Sequence, residues 1–138
     1  MKKTKNNINN IYGKKMMTWA EDLFKFNRSL TGIGVRKTLN YFKKFLPGLK
    51  IRSVRSGFKA FDWKVPNEWE VKEAYIEDLN GKRIIDFKEN NLHLLGYSTS
   101  INKILSFKEL NKKIYSDTKL TNAIPYRTSY YKKNWGFC

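Results

Sequence analysis

The spacing of the apolar residues changes once along this chain, at Pro47-Gly48, and divides the sequence into a helical part and a β-rich part. Before this point apolar residues recur every three or four positions, as they do on one face of a helix. After it, short β-like runs are separated by Gly, Pro and Asn. A length of 138 residues allows one domain, or a small domain and a piece of another. The sequence therefore predicts an α+β fold.

Two amphipathic helices are predicted in the first part. One covers about residues 18–30 and begins at a capping box formed by Thr18 and Glu21. The other covers about residues 34–46 and stops before Pro47. Their apolar stripes share the spacing i, i+4, i+7, i+11 and consist of Trp19, Leu23, Phe26, Leu30 and of Val35, Leu39, Phe42, Leu46. Two helices bury too little apolar surface to be stable alone, so both stripes need a further partner surface.

The second part is predicted to form short strands and one short helix. Asn80-Gly81 separates β-like runs at 70–78 and 82–87, and this dipeptide is typical of a tight hairpin turn. A capping box formed by Ser106 and Glu109 predicts a helix that continues to about residue 114. Further β-like runs lie at 49–54, 58–63, 92–97 and 128–131.

These patterns suggest three regions. Residues 1–17 are rich in Lys and Asn and lack periodicity, which is typical of a disordered basic tail. Residues 18–57 would hold the helix pair and a strand, and residues 58–138 a small β-rich domain with one short helix. The last four residues read Trp-Gly-Phe-Cys, an apolar stretch that favours burial. On this composition we expect the chain to be an incomplete piece of a larger protein.

The basic residues are concentrated in the first third of the chain. Lys and Arg number 28 against 12 Asp and Glu, a formal net charge of +16. Residues 23–61 contain ten bases and no acid, whereas residues 62–117 are close to neutral. This block suggests an anionic partner, such as nucleic acid or another anionic polymer. It is also what the solvated outer faces of helices in a Lys-rich protein would give.

Several classes of protein are excluded by composition. One Cys rules out an intrachain disulfide, and one Cys with one His is too few for an ordinary Cys/His zinc site. No apolar run approaches the roughly 20 residues of a membrane span, and no secretory signal is visible. We therefore expect a cytoplasmic protein without a membrane partner.

The sequence offers few catalytic candidates. His93 stands in a β-like run and could act as a base with Ser98, Asp86 or Cys138, although a lone His in a strand more often serves a structural role. Cys138 could pair with His93 as nucleophile and base, but a nucleophile on the last residue would be poorly held.

Three other groups have a chemical and a structural interpretation. The acidic cluster Glu68, Glu70 and Glu73 could bind a metal or lie on a solvated edge. The segment Thr31–Gly34 could bind an anion at a helix start or form a tight interhelical turn, and it lacks the ending of a P-loop. The aromatic residues near the end could line a stacking groove or fill a core; they are Tyr126, Tyr130, Tyr131, Trp135 and Phe137. We assign no catalytic, cofactor-binding or metal-binding residue to this chain.

Four ordered blocks carry a family resemblance. They read RSLTGIGVRKTL, SGFKAFDWKVPNEWEVKEAYI, IIDFKENNLHLLGYS and AIPYRTSYYKKNWGFC, at residues 28–39, 56–76, 84–98 and 123–138. Together they resemble the N-terminal part of a bacterial family of aminopeptidase-like proteins that bear domain-of-unknown-function labels. That family is similar to the di-zinc aminopeptidases, with a small β-rich domain inserted into an α/β peptidase domain.

The resemblance implies a function for the full-length relatives rather than for this chain. It implies a zinc-dependent hydrolase of peptide or amide bonds, whose zinc ligands lie downstream of the last residue here. The helix pair would begin the peptidase domain, and residues 58–138 would belong to an incomplete inserted domain. The expected partners are the remainder of the peptidase domain and a peptide or amide substrate. This chain alone is expected to hold no zinc and to be inactive.

Two alternatives to this reading remain open. The chain could be a stand-alone basic module that binds nucleic acid or another anionic polymer. It could also be a structural remnant of the inserted domain that binds an intact peptidase domain.

Overall fold

The structure, a computed structural model, describes the backbone of residues 2–138 and the side chains of residues 11–138. The chain forms two compact units, the N-terminal unit (Met1–Glu68) and the C-terminal unit (Trp69–Cys138). The first holds two helices and a small hairpin, and the second a hairpin, isolated strand bridges and one short helix. The predicted α+β fold class is confirmed.

The first helix of the N-terminal unit, α1, covers Lys2–Phe24. It begins sixteen residues before the predicted start at residue 18 and ends six residues before the predicted end at residue 30. Residues 2–17, for which the sequence predicts a disordered tail, lie within this helix in the structure, and residue 1 lies outside the described residues. Thr18 lies inside the helix, and its hydroxyl donates to the carbonyl of Lys14, 3.2 Å away. The predicted capping box with Glu21 is wrong, because the helix continues toward the N-terminus and leaves Thr18 no helix start to cap.

A tight turn joins α1 to the second helix, α2 (Ile33–Lys43). Gly32 precedes α2 with φ of 100°, a value that favours glycine. A Cβ atom on Gly34 would lie 1.7 Å from the carbonyl oxygen of Asn27, so only glycine fits there. The turn thus explains both glycines of this segment by backbone geometry.

Aromatic contacts join α1 to α2 and to the residues that directly follow α2. The rings of Trp19 and Phe45 lie 5.4 Å apart, and Phe45 also packs on Tyr41 at 5.4 Å. The Tyr41 hydroxyl donates to the Asp22 carboxylate at 2.7 Å, and this bond raises the pKa of Tyr41 to about 12. Among the described side chains of this unit, Leu23 is the one apolar side chain that is buried. The N-terminal unit therefore has a thin core and much exposed apolar surface.

A short hairpin follows in the same unit, with strands β1 (Lys59–Ala60) and β2 (Trp63–Lys64). Lys59 lies opposite Lys64, and Ala60 opposite Trp63. Phe61, at the turn, has φ of 56° and is 97% exposed. The sequence predicted one extended run over 58–63 and missed this turn, because no Gly, Asn or Pro marks it. The strand predicted at 49–54 is also wrong, since these residues join no ladder.

The C-terminal unit opens with the antiparallel strands β3 (Tyr75–Glu77) and β4 (Arg83–Asp86). The hairpin predicted at Asn80-Gly81 is confirmed, with Gly81 at φ of 80°. The connection is longer than a two-residue turn. Its shape is held by the carboxylate of Asp78, which accepts hydrogen bonds from the backbone of Asn80 and Lys82 at 2.9 Å each.

The rest of this unit is held by isolated bridges rather than by long strands. A 3₁₀ turn at Asn91–His93 replaces the start of the strand predicted at 92–97. Beyond it, Leu94 pairs with Phe137, Gly96 with Thr128, and Ile114 with Phe137. The buried apolar side chains here are Leu95, Tyr97 and Phe137.

The third helix, α3 (Phe107–Asn111), has the predicted capping box. The Ser106 hydroxyl accepts from the Glu109 backbone, and the Glu109 carboxylate accepts from the Ser106 backbone. This local signal is confirmed, although the helix is shorter than the predicted extent to residue 114.

The boundary between the two units lies after Glu68, whereas the sequence placed a domain boundary after residue 57. Whether residues 58–68 belong to an inserted domain stays a prediction. Within the described part of the chain, no helix combines the length and the hydropathy that crossing a bilayer demands.

Two glycines of the N-terminal unit give a matched test of its turn. Gly34→Ala should cost about 2 kcal/mol or more, because the new Cβ meets backbone that cannot move aside. Gly13→Ala should stabilise by about 0.5–1 kcal/mol, because Gly13 lies in α1 with open space around it. Urea unfolding followed by helical circular dichroism measures both. Equal effects of the two substitutions would contradict the turn geometry.

Candidate functional site

Two segments of the C-terminal unit, one at 136–138 and one around Ser129, form backbone hydrogen bonds with the residues around Gly96. The amide of Leu95 donates to Gly136 at 3.0 Å, and the amide of Cys138 donates to His93 at 2.8 Å. From the other segment, the amide of Ser129 donates to Gly96 at 2.9 Å. These bonds bring residues that are more than 30 positions apart in sequence to one place.

His93 and Cys138 are neighbours there, as one sequence hypothesis required. The contact differs from a catalytic pair, because His93 Nδ1 lies 2.9 Å from the backbone oxygen of Cys138 rather than bonding its thiol. A backbone oxygen can only accept, so Nδ1 carries the proton and donates. The imidazole therefore serves as a structural donor in this arrangement.

The Cys138 thiol is in a poor setting for a nucleophile. Burial raises its pKa, and a hydrogen bond from the Arg127 backbone only partly opposes this effect. The thiolate is the reactive form, so a raised pKa lowers reactivity at neutral pH.

The other partners considered for His93 are engaged elsewhere. The Ser98 hydroxyl donates to the Leu95 carbonyl at 2.6 Å. Asp86 pairs with Arg83 and accepts from the Lys88 amide at 2.9 Å. The hydrogen bond from the Lys88 amide is the largest cause that holds the Asp86 pKa below its usual range, and the bond from Arg83 is the second. Asp86 is thus an ionised structural carboxylate and not the partner of a catalytic base.

The acidic cluster is divided by the structure. Glu68 belongs to the N-terminal unit, where both of its carboxylate oxygens accept from the Arg36 guanidinium. That bidentate pair holds the Glu68 pKa below its ordinary value. Glu70 and Glu73 belong to the C-terminal unit. Within the described residues, no three His, Cys, Asp or Glu side chains stand together as metal ligands would. The side chains described here therefore do not fit a di-zinc centre.

The segment Thr31–Gly34 behaves as the structural interpretation predicted. The Ser29 hydroxyl donates to the carbonyl of Thr31 at 2.6 Å, and the amide of Thr31 lies 3.3 Å from that same hydroxyl. The amide of Thr31 is thus part of a closed turn, and the backbone geometry accounts for the two glycines without a bound anion.

Four aromatic side chains form a cluster in the C-terminal unit, which we call the tyrosine platform: Trp69, Tyr97, Tyr130 and Tyr131. Tyr97 is the centre, with ring centroids 5.2 Å from Trp69, 5.7 Å from Tyr130 and 4.4 Å from Tyr131. Tyr97 is buried, whereas Tyr130 and Tyr131 are 55% and 38% exposed. Nothing in the local sequence pattern could have found Trp69 and Tyr97, because only the fold brings them to Tyr130.

The backbone of the tyrosine platform is unusual. Tyr97, Tyr130 and Tyr131 have φ of 62°, 42° and 63°. Residues with a Cβ seldom adopt this region, which costs about 1–2 kcal/mol per residue. The conformation is held by Ser129, whose hydroxyl contacts the carbonyls of Gly96 and Tyr97 at 3.1 and 3.2 Å. Strain of this kind in a fixed loop is typical of functional sites.

The remaining aromatic candidates do not form one groove. Phe137 is 7% exposed and fills the core, as the structural interpretation predicted. Trp135 is half-buried beside the Lys113 ammonium, 5.5 Å from its ring. Tyr126 is 72% exposed and stands outside the tyrosine platform.

Comparison with known proteins supports the resemblance. Residues 68–138 match a family model described as a domain of unknown function, DUF2172. The chain is 46% identical over 125 residues to a Clostridium acetobutylicum protein described as a "putative polysaccharide biosynthesis protein with aminopeptidase-like domain". It also resembles the crystal structure of a "putative peptidase" from the same organism, with a TM-score of 0.89 and 44% sequence identity.

Each match covers nearly all of this chain but only part of the other protein. The sequence match covers 91% of this chain and 29% of the relative, and the structural match covers 99% of this chain and 33% of that chain. This chain therefore spans about a third of the length of the proteins that it matches.

Burial of the Cys138 thiol gives a prediction about its reactivity. Because the pKa of the Cys138 thiol is raised, iodoacetamide at pH 7.5 should alkylate this thiol more slowly than it alkylates the thiol of glutathione. The alkylation rate of Cys138 should rise only at higher pH. The measurement is the alkylation rate by mass spectrometry from pH 7 to 10, with the urea-unfolded chain as control. Alkylation of the folded chain at the rate of the unfolded chain would show that the thiol is not shielded.

Proposed function

Because this chain belongs to the family described as a domain of unknown function, DUF2172, we propose that it is the N-terminal, non-catalytic part of an aminopeptidase-like protein. One observation carries the proposal. Nearly the whole chain superimposes on a third of a peptidase-like structure, at an identity too high for a shared fold alone. The chemistry of such a protein would then depend mainly on residues outside this 138-residue chain.

The N-terminal unit supports this proposal by its exposed apolar surface. Large apolar side chains of its helices and turns face solvent, although a unit of this kind is stabilised by burying them. The exposed set includes Met16, Phe24, Leu30, Phe45, Leu46, Phe58 and Phe61. We assign their cover to the remainder of the peptidase domain, which is the expected protein partner.

The activity proposed for the whole protein is zinc-dependent hydrolysis of a peptide or amide bond. Among the described residues no three side chains are grouped as metal ligands, and we propose that the zinc ligands come from the rest of the whole protein. The role of this chain would be to complete the fold of the peptidase domain and to shape access to its substrate. The substrate need not be a simple peptide, since the Clostridium acetobutylicum relative is described as a polysaccharide biosynthesis protein. The proposed compartment is a bacterial cytoplasm.

A second function is favoured by one observation in the β1–β2 hairpin. Lys59 and Lys64 lie directly opposite each other, and like charges in that position destabilise a strand pair. An anionic polymer would relieve this repulsion, and residues 23–61 add ten bases and no acid. If the chain is a stand-alone nucleic-acid-binding module, it should bind single-stranded DNA. The logarithm of its association constant should then fall linearly with the logarithm of the salt concentration.

The non-catalytic role predicts the activity of the isolated chain. The 138-residue chain with excess Zn²⁺ should release no more p-nitroaniline from leucine p-nitroanilide than a zinc-only blank, because no group of metal-ligating side chains stands among its described residues. The full-length Clostridium acetobutylicum relative, assayed in the same way, is the positive control. Hydrolysis by the isolated chain above the blank would contradict the proposal.

A chimera tests the structural role directly. The 125 matched residues of that relative can be replaced by those of this chain, since the two are 46% identical there. We expect the chimera to fold and to retain within about tenfold whatever hydrolysis the relative performs. The matched control is the same chimera carrying Gly34→Ala, which should lose stability and activity together. A well-folded chimera with no activity would show that this segment does more than complete the fold.

A further inference from the structure

The tyrosine platform has the construction of a ligand site. Its inner rings, Trp69 and Tyr97, fix the positions of the outer rings, Tyr130 and Tyr131. The indole Nε1 of Trp69 donates to the Ser98 carbonyl at 2.9 Å, which fixes the base of the stack. An exposed aromatic ring that is already ordered loses little conformational entropy when a ligand covers it.

Core packing alone does not account for the conformation of the outer rings. Tyr130 and Tyr131 both occupy the left-handed region, yet much of each side chain faces solvent. A chain that only needed a turn here could use glycine at no steric cost. The strained backbone instead holds two phenol rings at 79° to each other, with centroids 5.7 Å apart. The two rings therefore meet nearly at right angles, with the edge of one directed at the face of the other.

The segment that carries the outer rings of the platform is basic. Residues 118–138 contain Lys119, Arg127, Lys132 and Lys133 and no acid. Lys132 follows the platform directly, and its amide donates to Ser129 at 3.0 Å within the same loop. The segment that contributes the outer rings thus carries four positive side chains and no Asp or Glu, which favours an anionic ligand.

We propose that the tyrosine platform binds a sugar ring of a carboxylated carbohydrate. The C–H bonds on one face of a pyranose carry partial positive charge, which the negative face of a phenol ring attracts. The Tyr130 hydroxyl can donate to and accept from sugar hydroxyls. The sugar carboxylate is complementary to the Lys and Arg side chains of the segment. The proposal deepens the proposed function and rests on it for the role of the ligand as substrate, but not for binding itself.

Binding to the isolated 138-residue chain tests the inference without any hydrolysis. The probes are tri-galacturonate, neutral maltotriose and N-acetyl-phenylalaninamide, each followed by ligand-detected NMR titration. We expect saturable binding of tri-galacturonate, at least about fivefold tighter than maltotriose and weaker as salt is raised. Contacts from sugar C–H protons to tyrosine ring protons should appear in transferred Overhauser spectra of the unmodified chain.

Two matched substitutions locate the site. Tyr130→Ala should weaken tri-galacturonate binding by about fivefold or more, the loss expected for one stacked ring. Tyr126→Ala removes a more exposed tyrosine outside the platform and should leave the Kd within twofold. If Tyr130→Ala perturbs the fold, the ring-proton contacts of the unmodified chain still decide the question.

Three results would overturn the inference: no binding of tri-galacturonate, equal weakening by both substitutions, or preference for the phenylalanine amide. These results are separable from failure of the proposed function. If the full-length relative performs no hydrolysis while this chain still binds the sugar, the proposed peptidase role fails and the proposed sugar site stands.

Discussion

One stretch of backbone, Gly136–Cys138, hydrogen-bonds on both of its sides and holds the C-terminal unit together. On one side it accepts from Leu95 and donates to His93, and on the other it exchanges bonds with Lys113 and Tyr115. Each bond is 2.8–3.0 Å long. Unpaired buried backbone groups are costly, so this stretch fixes the segments beside it. The position of the tyrosine platform follows, because Gly96 and Tyr97 continue from one of those segments.

The N-terminal unit depends on a different balance. Its helices meet through a few aromatic contacts, and its described side chains include one buried apolar residue, Leu23. Burial of apolar surface is the main driving force of folding, so a unit with so little of it gains stability when another surface covers it. This is the physical reason for the proposal that the unit is part of a larger peptidase-like domain. The C-terminal unit, with Leu95, Tyr97 and Phe137 buried, has a core of its own.

The sequence predicted what short-range rules control. The capping box at Ser106, the hairpin at Asn80-Gly81 and the burial of Phe137 all follow from a few neighbouring residues. The start of α1 was missed because a capping signal at Thr18 can also stand inside a helix, where its hydroxyl bonds the preceding turn.

Less of the candidate site than of the fold could be predicted from the sequence. The contact of His93 with Cys138 and the packing of Tyr97 on Trp69 join residues 45 and 28 positions apart, and only the bridges of the fold bring them together. Positive φ at Tyr130 is likewise unmarked in the sequence, since the residue is neither Gly nor Asn.

Amide hydrogen exchange is the most direct test of the claim that the N-terminal unit is completed by the remainder of a peptidase domain. The comparison is between this chain alone and the same residues within the full-length chimera. The account predicts that amides of α2 (Ile33–Lys43) exchange at least about tenfold more slowly in the chimera. The bridge amides of Leu95, Tyr115 and Phe137 should be protected similarly in both. Equal protection of α2 in both proteins would contradict the account, because the helix would then need no further cover.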